Sequence, residues 1–209
     1  MQLRHLAAPT IVLVLAATLT ACGSDSSTSS SDNTAPGAVA SLPADSTSSG
    51  STTTTLNAAD VAFAQGMIAH HEQAIEMAEI ALDPTRGAST EVTDLATRIE
   101  GAQGPEVELM TGWLTAAGEP ITMDSSEGHD MDSMDGMMTA DEMDALGAAT
   151  GTEFDEMWLE MMIAHHEGAI AQSEAVKADG ANAEVLGLAD QIIIAQQAEI
   201  TEMESLLGG

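Results

Sequence analysis

One hexapeptide occurs twice in this chain. Met67-Ile68-Ala69-His70-His71-Glu72 returns 95 residues later as Met162-Ile163-Ala164-His165-His166-Glu167. The likeness extends on both sides: Ala74-Ile75 returns as Ala169-Ile170, Asp60 as Asp155 and Glu79 as Glu174. A second segment repeats at an offset of 93, where Leu95, Ile99, Gln103, Glu106 and Met110 match Leu188, Ile192, Gln196, Glu199 and Met203. Two linked segments recurring in the same order mark a duplicated supersecondary unit, and any fold must accommodate both copies alike.

Each copy reads as a helical hairpin. In the first, Asn57 followed by Asp60 has the spacing of a cap and a first-turn acid, and Asp83-Pro84 ends the helix because proline disfavours helical geometry before it. Its partner helix runs from about Thr90 to Ala117, closed by Gly118 and Pro120. The second copy starts at Thr152, breaks near Gly180, restarts at Asn182 and ends at Gly208-Gly209. Aromatic residues are only 2% of the chain, with no Tyr, so a core must be built from Ala, Leu, Ile, Val and Met, a palette suited to helices. The prediction is an all-α four-helix bundle of two repeated hairpins over 57–209: repeat one 57–117, a connection 118–151 and repeat two 152–209. Pro105 is expected to kink the second helix, softened further by Gly101 and Gly104. Thr139 and Glu142 have capping-box spacing, which predicts a short helix over Thr139 to Leu146 in the connection.

At about 100° per residue, Phe63, Ala64, Met67, Ile68, Ala74, Ile75, Ala78 and Leu82 share one face of the first helix. His71 falls near its centre and His70 at its edge, beside Met77. Glu72, Glu76 and Glu79 point away. The repeat places His166 centrally and His165 at the edge in the third helix. Gln103, Glu106, Gln196 and Glu199 fall on the apolar faces of the other two helices, as core polar partners. Buried polar groups need partners. In one reading, each central His bonds a Glu or Gln across the core and fixes helix register. In the other, the His pairs bind metal, and paired imidazoles, present twice with a Met one turn earlier, favour this. Imidazole with thioether suits copper, above all Cu(I), better than Mg or Ca, with zinc as a further candidate. The Met residues also suit plain core filling. A di-iron carboxylate centre needs Glu-x-x-His, whereas here Glu follows the His pair on the wrong face.

Outside the duplication, Met1 to Thr20 has a charged start and an apolar run too short to span a membrane, the pattern of a secretory leader. Leu19-Thr20-Ala21-Cys22 resembles the lipobox of bacterial lipoproteins. That resemblance implies lipidation of Cys22, removal of residues 1–21, and anchoring to the outer face of the cytoplasmic membrane or cell envelope. Cys22 is the sole cysteine, so no intramolecular disulfide forms. Residues 22–56 are dominated by Ser and Thr and read as a flexible tether. Against four Lys and Arg stand 34 Asp and Glu, a net charge of −30. Such a chain repels nucleic acid and concentrates cations. The connection carries Met123, His129, Met131, Met134, Met137, Met138 and Met143 among acidic residues. His129, Met131, Met134, Met137 and Met138 form a candidate accessory metal site; the alternative is a solvated linker with weak apolar contacts.

Taken together, Phe63-x-x-x-Met67-Ile68-x-His70-His71-x-x-Ala74-Ile75-x-Met77-Ala78, the Gln103/Glu106/Met110 segment and their second copies resemble the family called domain of unknown function 305. The resemblance covers about residues 57–207. It implies a ferritin-like four-helix fold, export and, in some members, copper binding linked to copper tolerance. By match to the motif, Met67, His70, His71 and Met77 carry over in repeat one, and Met162, His165 and His166 in repeat two. Repeat two departs after Ile170, with Gln172-Ser173 in place of Met77-Ala78. The leading expectation is a non-enzymatic copper-binding lipoprotein that sequesters or hands on metal. A metal-dependent oxidoreductase, such as one oxidising Cu(I), and an interaction module with core histidines are the alternatives. No nucleophile–base arrangement supports a hydrolase.

Overall fold

Helix ends in this chain are set by short-range signals already visible in its sequence. The computed structural model describes residues 55–123 and 134–208. Helix α1 spans Ala58–Leu82, α2 Thr90–Ala117, α3 Ala140–Ala148, α4 Thr152–Asp179 and α5 Ala183–Leu207. Asn57 and Asp60 close a capping box at the start of α1, Thr139 and Glu142 another at the start of α3, and Ser89 and Asn182 cap α2 and α5. Gly118, at φ 75°, ends α2 in the left-handed conformation that glycine takes without steric cost. Only α4 lacks a side-chain cap; Gly151 precedes it at φ 63°. Helix α2 continues unbroken through Pro105. Proline supplies no N–H to Gly101, but Gly101 is exposed, so water reaches the residue whose carbonyl is left over.

The hairpins α1–α2 and α4–α5 meet chiefly through α1 and α4. Two apolar clusters fill the bundle. One joins the start of α1 (Phe63, Met67) to the end of α2 (Met110, Trp113) and the start of α5 (Leu188, Ile192). The other joins the end of α1 (Met77) to the start of α2 (Leu95, Ile99), the start of α4 (Phe154, Trp158, Met162) and the end of α5 (Met203). Neighbouring helices are therefore antiparallel. Between the clusters lies a buried polar band: His70, His71, Gln103, His165, His166 and Gln196. Leu82, expected on the apolar face, is exposed, and Ala81 is buried in its place.

The duplicated Asp residues stitch the hairpins together. The buried Asp60 carboxylate accepts from Asn57 N–H at 2.9 Å and, beyond its own hairpin, from Ala181 N–H at 3.1 Å and Asn182 N–H at 3.2 Å. Asp155 accepts from Ser89 N–H at 3.1 Å. Each thus binds the N-terminal turn of the other hairpin's second helix. Gly180 allows this approach, since a Cβ there would lie 2.7 Å from Asp60 Oδ1. No helix among the described residues is long and apolar enough to cross a membrane. The leader, Cys22, nearly all of the tether, His129 and Met131 lie outside the described residues.

Candidate metal centre

Four imidazoles occupy the middle of the bundle, and all four residues are fully buried. His71 Nε2 bonds Glu106 Oε2 at 2.7 Å, and His166 Nε2 bonds Glu199 Oε2 at 2.8 Å. These equivalent pairs arise from the duplication: each hairpin sets a His from its first helix against a Glu from its second. His70 and His165 face each other across the α1–α4 contact, with ring centroids 3.8 Å apart and planes tilted by 47°. The helical wheel places both at the edge of the apolar face, but each is as buried as its neighbour, because that edge is where α1 meets α4.

The layer leaves much of its hydrogen-bonding capacity unused. Five imidazole nitrogens have no hydrogen-bond partner among the described residues: Nδ1 of His70, His71 and His166, and both ring nitrogens of His165. Both amide atoms of Gln103 and Oε1 of Gln196 are likewise unpartnered. When a neutral His71 or His166 donates its Nε2–H to Glu, Nδ1 becomes the ring's available lone pair, the arrangement in which a carboxylate orients a ligating imidazole. Burial, with the adjacent His71 imidazole second, pushes His70 down to about 3. Burial, then His70 itself, holds His165 well below the usual imidazole range. Both rings therefore keep lone pairs for an electrophile near neutral pH.

Among the described residues, no three His, Cys, Asp or Glu side chains form a ready-made cage for a metal ion. Soft donors stand nearby on the helices. Met67 and Met162 are buried one turn before their His pairs. Met77 is buried too, but seven residues past His70 is about 10 Å along the axis. Its backbone carbonyl accepts from Trp158 Nε1–H at 2.9 Å.

The connection returns across α1 and α4 over this layer. Asp135 O lies 3.3 Å from His70 Nε2. Gln73 clamps the returning strand, donating to Met138 O at 2.8 Å and accepting from Met138 N–H at 2.7 Å. Gly136, at φ 83°, and Gly168 touch backbone to backbone; a Cβ on Gly168 would meet Asp135 O at 2.0 Å. The expected accessory set is thereby divided. Met138 is buried in an apolar cluster, Met137 is half-buried, and Met134 faces a crevice beside Gly66. Gln73, Asp135 and Gly168 escaped the sequence reading. The available signal was Gly168 itself, a glycine inside a helix where repeat one has Gln73.

The sequence model of a family described as domain of unknown function (DUF305) matches residues 60–207. Among solved structures, a DUF305 protein from Streptomyces coelicolor, presumed to be secreted, is 30% identical and covers 72% of this chain and 92% of its own, with a TM-score of 0.65. A DUF305 fragment from Deinococcus radiodurans is 32% identical, covering 73% of this chain and 97% of its own at a TM-score of 0.65. CopM in a Cu(II)-bound form is 30% identical, covering 71% of this chain and 95% of its own at a TM-score of 0.58. Cu(I)-bound, Ag-bound and apo forms of CopM are similar as well. No curated protein matches the chain.

Proposed function

Because the chain belongs to the DUF305 family, we propose that it is an extracytoplasmic copper-binding lipoprotein that sequesters copper or hands it on, in the service of copper tolerance. The observation that carries this is the buried layer with five unpartnered imidazole nitrogens. Leaving a buried polar atom unsatisfied costs about 1–3 kcal/mol, and a metal ion that takes these lone pairs removes that cost. The donors fit the cargo: neutral imidazoles and thioethers in an acidic protein favour a soft cation, Cu(I) first, over hard ones. His70, His71, His165 and His166 are the main ligands, Met67 and Met162 soft partners one helical turn away and Met77 a more distant one along α1. Glu106 and Glu199 orient His71 and His166 from outside. The copper-bound forms of CopM support the reading. Cys22 carries the lipid anchor, residues 22–56 form the tether and 57–209 the binding domain.

Anaerobic titration with Cu(I) against a chromophoric chelator tests the assignment, with Zn(II) in parallel. Replacing His70 and His71, or His165 and His166, with Ala is expected to lower affinity or stoichiometry for Cu(I). An isotherm unchanged by both replacements would sink it. The His71–Glu106 and His166–Glu199 bonds support a second reading, in which the layer only locks helix register. That reading predicts no competition for either metal.

A further inference from the structure

The duplication breaks at the pair Gly66 and Gln172, among other positions, and a crevice lies there. Met77 and Met161 belong together at one end of the α1–α4 contact, where Met161 packs against the cluster containing Met77. Their equivalents at the other end, by the offset of 95, are Gln172 and Gly66. Both thioethers are missing there. Gly66, without a side chain, leaves room, and the space is taken from elsewhere in the chain. Met123 Cε and Met134 Sδ reach 3.8 and 3.9 Å from the point where a Gly66 Cβ would stand, with Gln172 Oε1 at 3.1 Å. The crevice measures about 280 Å³ and is lined by Ala62, Gly66, Met123, Met134, Asp135 and Gln172. Gln172 Nε2 is buried there without a partner among the described residues.

We propose that Met123 and Met134 form a second site, for a soft monovalent cation, at the Gly66 crevice. Thioether sulfur selects Cu(I) and Ag(I) over hard cations, and the chain's acidity raises their local concentration. Gln172 Oε1 is an additional neutral donor. The site adjoins the imidazole layer, because the residue after Met134 sets its carbonyl against His70. Cations approaching the α1–α4 face meet these thioethers before the buried rings. The proposal rests on the copper reading above but stands on different residues.

Titration of the full chain with Ag(I) separates the two. The probe set is wild type, Met123→Leu/Met134→Leu, Met131→Leu/Met137→Leu and His70→Gln/His71→Gln, each checked for helical circular dichroism. The Met123/Met134 variant is expected to lose one Ag(I) equivalent, and the Met131/Met137 variant none. Leucine keeps the crevice filled, so only the sulfur is lost. If the Met123/Met134 isotherm superimposes on wild type, the two residues are packing alone and the proposal is overturned, whatever the His variant does. If instead the His variant matches wild type while the Met123/Met134 variant loses its equivalent, the crevice site stands and the imidazole assignment falls.

Discussion

His70 and His165 determine how the buried layer responds to acid. In the folded chain burial holds both neutral, His70 down to about 3, whereas in the unfolded chain each protonates near 6.5. Between about 3 and 6.5 the unfolded state binds an extra proton at His70, and His165, lowered by the same burial, acts in the same direction. Stability is therefore full above about 6.5 and falls as pH drops through that window, by at most about 1.4 kcal/mol per pH unit for each ring. In metal-free protein, the stability difference between wild type and His70→Gln should shrink or reverse on going from about pH 7 to about pH 4, while effects of the many carboxylates cancel. Urea denaturation across that range measures it, and a pH-independent difference contradicts the burial argument. The sequence displayed all four His, both Glu and both Gln of this layer, because a period of 3.6 puts them on apolar faces. It did not display that His70 and His165 face each other, since a single-helix wheel knows nothing of the neighbouring helix.

Asp60 and Asp155 act as ties between elements rather than as local caps alone. Asp60 looks from sequence like a first-turn acid, and within α1 it is one. Its bonds to Ala181 and Asn182 cross more than a hundred residues, so no window of sequence reveals them. Asp60→Ala strands these N–H groups and should cost about 1–3 kcal/mol. Asp155→Ala, which frees Ser89 N–H, should cost less. Thermal or urea denaturation of both variants checks the order; equal and negligible losses would show that water replaces the carboxylate. Helix boundaries were legible because capping chemistry is local. The sequence likewise carried α2 through Pro105, from Thr90 to Ala117, as found; helix packing on either side offsets a local penalty of about 3 kcal/mol.

For the folded protein as a unit, the proposed copper binding predicts a link between copper and stability. A ligand bound only by the native state raises stability by about 2.7 kcal/mol at a hundred times its dissociation constant. Adding Cu(I) under anaerobic conditions should raise the melting temperature, and Mg(II) at equal ionic strength should not. A response identical for both would reduce the effect to screening of the net charge of −30. Periodicity and capping act over one or two turns, so the duplication, the four long helices and short α3, their ends and the inward polar residues were all legible along the chain. Tertiary structure decided the rest: the pairing of α1 with α4, the facing imidazoles, the cross-hairpin Asp bonds, and the return of Met134 and Asp135 over Gly66 and Gly168. Those contacts join residues far apart in the chain. The approach of Asp60 to Gly180 and of the connection to Gly168 needs a missing Cβ, and the backbone distances there are set by the packed bundle, not by any local stretch of it.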